Sequence, residues 1–184
     1  MRILGVDPGL TRCGLGVVDS GSARTVTLVD VRVATSPASD DTPARLAQIS
    51  AVLESVLDQH RPAAVAMERI FARSNVSTIM GTAQVSGIIM LAAERRGLPL
   101  VLYTPSEVKA AVTGEGRAGK EQVTFMVQRI LGLAEPPRPA DAADALAIAI
   151  AHAWRGGAAP VGSAATTDAQ RRWAEAEKAA RRRG

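Results

Sequence analysis

RILGVDPGLTRCGLGVVD, residues 2–19, decides the fold. Two apolar runs, RILGVD (2–7) and GLGVVD (14–19), flank a break that holds Pro8 and Gly9. A third run, TVTLVDVRVA (25–34), follows Ser20 and Gly21. Three β-rich runs separated by short Gly- and Pro-bearing breaks imply an antiparallel meander. Beyond a polar stretch from Ser36 to Pro43, Ile49, Val52, Leu53, Val56 and Leu57 recur at helical spacing, and this helix ends near His60 and Pro62. AAVAM (63–67), bounded by Pro62 and Glu68, has the length and composition of a buried strand. Because a helix precedes it, it is expected to lie parallel to the first strand through a right-handed crossover.

A long apolar helix capped by Ser74 or Asn75 then runs to about Arg96, with Gly97 at its stop, before another buried strand, LPLVLY (98–103). Thr104-Pro105 opens a short helix, and Thr113 to Gly119 reads as a Gly-rich charged loop. Val123, Met126, Val127, Ile130 and Leu131 mark an amphipathic helix stopped by EPPRP (135–139), and Asp141 to His152 forms a last helix that is apolar nearly all round. The expectation is an α/β domain over residues 1–156. It has a five-stranded mixed sheet, three antiparallel strands plus two parallel, with helices on both faces. Residues 157–184 are expected to form a flexible basic tail.

Composition narrows the class. The 184 residues are 47% apolar with mean hydropathy +0.08, enough for one sizeable core, but only 3% are aromatic, so Ala, Val, Leu and Ile must build it. No apolar run reaches the ~18 residues of a membrane span. Asp7 interrupts the N-terminal apolar stretch too early for a secretory signal, so a cytoplasmic protein is expected. Cys13 is the one cysteine, which rules out an internal disulfide or a CxxC metal site. The net charge of +4 equals the surplus of seven basic over three acidic residues from Arg155 onward. The pI near 10 is therefore no sign by itself of a nucleic-acid surface. Residues 61–138 are more telling, with ten basic against six acidic side chains.

Four carboxylates have a reason to meet. Asp7 ends the first strand and Glu68 the fourth; if those strands are parallel neighbours ~4.8 Å apart, both acids lie on one sheet edge, where sites of open α/β sheets gather. Asp141 and Asp144, one turn apart, project from one face at the start of the last helix. Each has a plainer reading: a turn-forming Asp before Pro8-Gly9, a surface Glu paired with Arg69, or first-turn acids favoured by the helix dipole. Together they suit a hard, oxygen-seeking cation, Mg²⁺ with Mn²⁺ as a substitute, over zinc. His60 and His152, at the far ends of their helices, read as surface or capping residues rather than ligands. Two such ions side by side form the arrangement that hydrolyses phosphodiesters.

GVDPGLTRCGLGVV (5–18), AMERIFARSNVSTIMGTAQVSGI (66–88), TPSEVKAAVTGEGRAGKEQV (104–123) and PADAADALAIAIAH (139–152) resemble, in order, the motifs of the RuvC family of bacterial crossover junction endodeoxyribonucleases, the Holliday junction resolvases. The resemblance implies a ribonuclease-H-like fold, with Asp7, Glu68, Asp141 and Asp144 as catalytic, metal-binding acids around two Mg²⁺ ions. It implies that Lys109 and Lys120 serve cleavage and DNA contact and that Phe71 lies against bases at the crossover. Arg69, Arg73 and Asn75 around Phe71, and Arg117 near Lys120, are candidate DNA-binding residues. It further implies a homodimer, for which the helix bearing Gly81, Ala83, Ser86, Gly87 and the run Ile88 to Leu91 is the candidate interface. The family's partners, four-way junction DNA and the RuvA–RuvB branch-migration complex, are implied with it, as are symmetric nicks leaving 5′-phosphate and 3′-hydroxyl ends. Other readings are a ribonuclease-H-like nuclease of another nucleic acid and a junction-binding module whose acids hold structural ions. An actin-like kinase fits poorly, since there is no second domain or second phosphate loop.

Overall fold

The computed structural model describes residues 1–70 and 76–155. Its elements are β1 (Arg2–Asp7), β2 (Arg12–Ser20), β3 (Val26–Thr35), α1 (Thr42–His60), β4 (Ala64–Glu68), α2 (Val76–Arg95), β5 (Leu100–Tyr103), α3 (Pro105–Thr113), α4 (Lys120–Leu131) and α5 (Ala140–Arg155). The strands form one sheet in the order β3-β2-β1-β4-β5. β1–β2 and β2–β3 are antiparallel, β1–β4 and β4–β5 parallel, as the strand patterns predict. Ser74 and Asn75, the expected caps of α2, lie outside the described residues.

Alternation along the strands divides the core into two layers. Leu4, Val6, Leu15, Val65 and Met67 face α1 and α2, packing with Ile49, Leu53, Val85 and Ile89. Ile3, Ala66, Val101 and Tyr103 face the other way, against α3, α4 and α5. The helix ends are set by local chemistry. Asp41 accepts from the Ala44 N–H ahead of α1, Arg61 closes that helix at φ 45°, and Thr104 and Glu107 form a reciprocal capping box on α3.

Apart from Asp144, α5 is buried at every position from Ala142 to His152, so it runs through the centre of its layer rather than over it. Three glycines make that possible. A Cβ on Gly5 would lie 2.2 Å from the Ala145 carbonyl oxygen, one on Gly14 2.1 Å from the Asp141 oxygen, and one on Gly16 2.9 Å from the Leu146 nitrogen. The helix backbone therefore rests directly on β1 and β2.

The Gly-rich loop ends at Gly119 as expected: Gly119, at φ −72°, caps α4 and Lys120 is that helix's first residue. Two expectations are corrected. β2 begins at Arg12, two residues before its apolar run, because Arg12 and Cys13 pair with Thr35 and Ala34 of β3. His152 is not at the surface; it is 2% exposed, its Nδ1 lies 3.0 Å from the Tyr103 hydroxyl, and burial lowers its pKa. His60 is half-buried, with Nε2 2.7 Å from Asp30.

Because the clash at Gly14 is with main-chain oxygen, no side-chain rotation relieves it. Gly14→Ala is expected to destabilise the chain by roughly 1–3 kcal/mol or more, read as a lower urea midpoint at unchanged slope. A wild-type midpoint would mean that α5 does not sit on this strand.

Candidate active site

The parallel register Val6 with Met67 makes Asp7 and Glu68, each the last residue of its strand, neighbours at one edge of the sheet. Strand parity puts both on the α5 side. Asp7 alternates with Ile3 and Gly5, which face α5, and Glu68 with Ala66 of the same layer. Opposite Asp7 in the ladder stands Gly14, and over Gly14 lies the carbonyl of Asp141. Asp141 occupies the first turn of α5 and Asp144 the next turn on the same face, so the helix start delivers two more acids to this edge.

The consequence is electrostatic. The Asp7 carboxyl is pushed up to about 7, chiefly by burial and then by the charges of Asp144, Glu68 and Asp141, with Lys120 acting in the opposite sense. Glu68 is raised too, again by burial first and by Asp144 next, and eased by Lys120 and Lys109. Lys120 Nζ stands 3.4 Å from Asp144 Oδ2, and that carboxylate raises the lysine's pKa. Arg12 Nε lies 3.0 Å from Asp141 Oδ2.

Donor type and charge suit a divalent cation. All four acids offer oxygen, and the repulsion that adds to burial in raising Asp7 is what a dication among them would relieve. Cys13, one residue from Gly14, is no competitor: it is buried on the α1–α2 face and its thiol is pushed up to about 12, mainly by burial, so it stays neutral. As the side chains stand, no three His, Cys, Asp or Glu among the described residues close around a common ion position. Asp141 and Asp144 are turned to Arg12 and Lys120 instead.

Residues 3–152 match the family described as Crossover junction endodeoxyribonuclease RuvC. The chain belongs to the RuvC family. A RuvC from Saccharopolyspora erythraea is 64% identical over 155 residues, covering 84% of this chain and 78% of that one. A Nocardioides RuvC is 61% identical over 170 residues, covering 92% and 96%. Among solved structures, Thermus thermophilus RuvC in complex with a Holliday junction substrate superposes with a TM-score of 0.81 at 40% identity, over 88% of this chain and 99% of that one. The five-stranded mixed sheet is thus the ribonuclease-H-like sheet of RuvC enzymes.

Other residues with expected roles are dispersed around the RuvC sheet edge. Arg69 follows Glu68 and is exposed; its N–H donates to the Tyr103 carbonyl at 2.7 Å, prolonging the β4–β5 ladder. Lys109 on α3 is near enough to Glu68 to act on its charge. Arg117 is exposed between α3 and α4. Phe71, Arg73 and Asn75 lie outside the described residues. Arg12 and Arg45 were not singled out from the sequence, although Arg12 meets Asp141 and Arg45 is tied to Thr11 and Ser36 beside it. Both are isolated arginines, and only the turn between β1 and β2 brings them here.

The raised Asp7 has a measurable signature in metal-free protein. Below about pH 4, the ordinary Asp range, folded and unfolded chains both hold the proton and Asp7 costs nothing. Between there and about pH 7 the unfolded chain ionises while the folded one resists, so stability falls and then levels off. In EDTA, Asp7→Asn is expected to melt above wild type at pH 8, by on the order of 2–4 kcal/mol at ~1.4 kcal/mol per pKa unit, and level with it near pH 4. Melting curves that coincide at pH 8 would show that the acids are not crowded.

Proposed function

We propose that this chain is a Holliday junction resolvase: a metal-dependent endonuclease that nicks two strands of like polarity in a four-way DNA junction, leaving 5′-phosphate and 3′-hydroxyl ends. The observation that carries this reading is the gathering of Asp7, Glu68, Asp141 and Asp144 at one sheet edge in a chain of the RuvC family. A Thermus thermophilus relative with 40% identity is known in complex with such a junction, which supports the substrate.

RuvC enzymes depend on a metal. For this chain we assign Mg²⁺, two ions per site, with Mn²⁺ able to substitute, held by the four carboxylates. When bound, these ions supply Lewis acidity, activating the attacking water and neutralising the leaving 3′ oxygen. The chain's own residues do the rest. β1 and β4 hold Asp7 and Glu68 at fixed separation, and α5 brings Asp141 and Asp144 to them. Lys120, its positive charge reinforced by Asp144, is stationed to meet negative charge developing on the phosphate. Phe71, Arg69, Arg73, Asn75, Lys109 and Arg117 take the DNA contacts that the family resemblance implies, Phe71 against bases and the others on backbone.

Residues 1–156 constitute the nuclease domain and 157–184 a basic tail, a division supported by the family match over residues 3–152. The working unit is a homodimer. Met80, Met90 and Leu91 are 56%, 42% and 50% exposed on α2, and Gly87 between them has open space where a side chain would stand. This apolar, partly narrow helix face suits a two-fold contact between copies, which sets two identical sites at a fixed spacing on a substrate that is itself nearly two-fold. The RuvA–RuvB complex is the assigned partner and the cytoplasm the assigned location; no described helix is long and apolar enough to cross a membrane.

Wild type with Mg²⁺ is expected to nick a synthetic four-way junction in pairs, and EDTA to stop it. Asp7→Asn and Asp144→Asn should each cut at least about 10²-fold more slowly, ~2.7 kcal/mol of barrier, while retaining junction binding. Cleavage of RNA or plain duplex in preference to the junction, or full activity in either variant, would refute the reading. Leu91→Glu is expected to shift sedimentation from dimer to monomer and to uncouple the two nicks. A Leu91→Glu dimer would place the interface elsewhere.

A further inference from the structure

We propose that the groove between the β1–β2 turn, α1 and α2 is a seat for a backbone phosphate of the substrate strand next to the cut, gripped by Arg12 and Arg45. The inference rests on the nuclease reading above and adds a positioning site to it. The groove has a volume of about 410 Å³ and is lined by Gly9, Thr11, Arg12, Arg45, Thr82 and Asp141, among others. It therefore shares Asp141 with the carboxylate edge, so an anion lodged here is adjacent to the reacting phosphate.

Arg45 carries the argument. Its Nε donates to Ser36 Oγ at 3.0 Å and its Nη2 to Thr11 Oγ1 at 2.8 Å. Ser36 is itself buried at 3% exposure, with its hydroxyl donating to the Leu10 carbonyl at 2.5 Å and its N–H to the Thr11 carbonyl at 3.1 Å. The guanidinium is thus held by neutral hydroxyl oxygens and pairs with no carboxylate among the described residues. A cation fixed in place without a counter-charge binds an anion with little further ordering cost, and the planar fork of arginine matches phosphate oxygens. Arg12, 59% exposed, faces the same groove and among the described residues engages only its Nε, on Asp141, which leaves the rest of its guanidinium for an anion. The walls are tightly built: a Cβ on Gly9 would lie 2.2 Å from the Arg12 carbonyl oxygen, and one on Gly81 3.1 Å from Leu10.

A phosphodiester is the anion that the location selects, because the strand being cut must continue past the carboxylates and its neighbouring phosphate needs a cationic rest. Contacts of this kind set register without reading sequence. A phosphate taken by Arg12 also frees Asp141 for the acids at the sheet edge.

The test measures junction binding by the full chain in EDTA, by fluorescence anisotropy across a salt series, so that the metal plays no part. Arg45→Gln is expected to bind at least about 10-fold more weakly, with the slope of log Kd against log salt shallower by about 0.9, one phosphate contact. Thr82→Glu, whose side chain makes no hydrogen bond among the described residues, places a negative charge in the groove and is expected to weaken binding likewise if Arg45→Gln fails to fold. In Mg²⁺, mapped nicks of either variant should spread to neighbouring phosphates. Wild-type affinity, slope and cut position in a folded variant would overturn the phosphate seat alone, provided wild type cuts junctions and Asp7→Asn binds without cutting. Failure of wild type to bind or nick a junction would instead remove the nuclease reading, and the seat with it.

Discussion

Everything at the functional edge depends on the contact between the backbone of α5 and the glycines of β1 and β2. Side chains ordinarily keep a helix well clear of a sheet, but Gly5, Gly14 and Gly16 remove that spacer along one line. The helix sinks onto the strands, every residue from Ala142 to His152 except Asp144 is buried, and small alanines fill most of the contact. The height and direction of α5 are then set by main-chain contact rather than by flexible side chains. Its first turns arrive at the end of β1 with little freedom, which is what a multi-carboxylate site requires.

That delivery brings like charges together. Burial and three neighbouring acids raise Asp7, and Glu68 is raised with it, so the edge works against folding in the metal-free chain. Basic side chains surround the cluster without entering it. Lys120 meets Asp144, Arg12 meets Asp141, and Lys109 acts on Glu68. Each pair is partly exposed, so solvent screens it and its contribution to stability is small. Weakly held pairs of this kind leave the acids free to exchange partners. Arg45, one layer further out, extends the same positive rim with a guanidinium held by hydroxyls.

Much of this was legible in the chain. The β-rich runs of residues 2–34 and the short breaks between them disclosed the meander, the helix before Ala64 disclosed the parallel crossover, and acids at the ends of two core strands disclosed the edge. Other features were not legible, for specific reasons. A histidine at a helix end looks like a cap, yet Tyr103, which is 49 residues away, makes His152 a core residue. Arg12 and Arg45 carry no local pattern at all. Their partners come from the β1–β2 turn, from Ser36 and from α5.

By itself the sequence determined the order and type of the elements, because periodicity, glycine and proline act over a few residues. It also determined which acids were available and that their ligand chemistry was all oxygen. The tertiary structure alone decided which side chains share an environment: parity and register turned Asp7 and Glu68 to the α5 face, burial raised the proton affinities of those two, and the glycine seat carried Asp141 and Asp144 to them. Those outcomes depend on distances between residues remote in the chain, and charge, desolvation and steric contact act through space, where no local pattern records them.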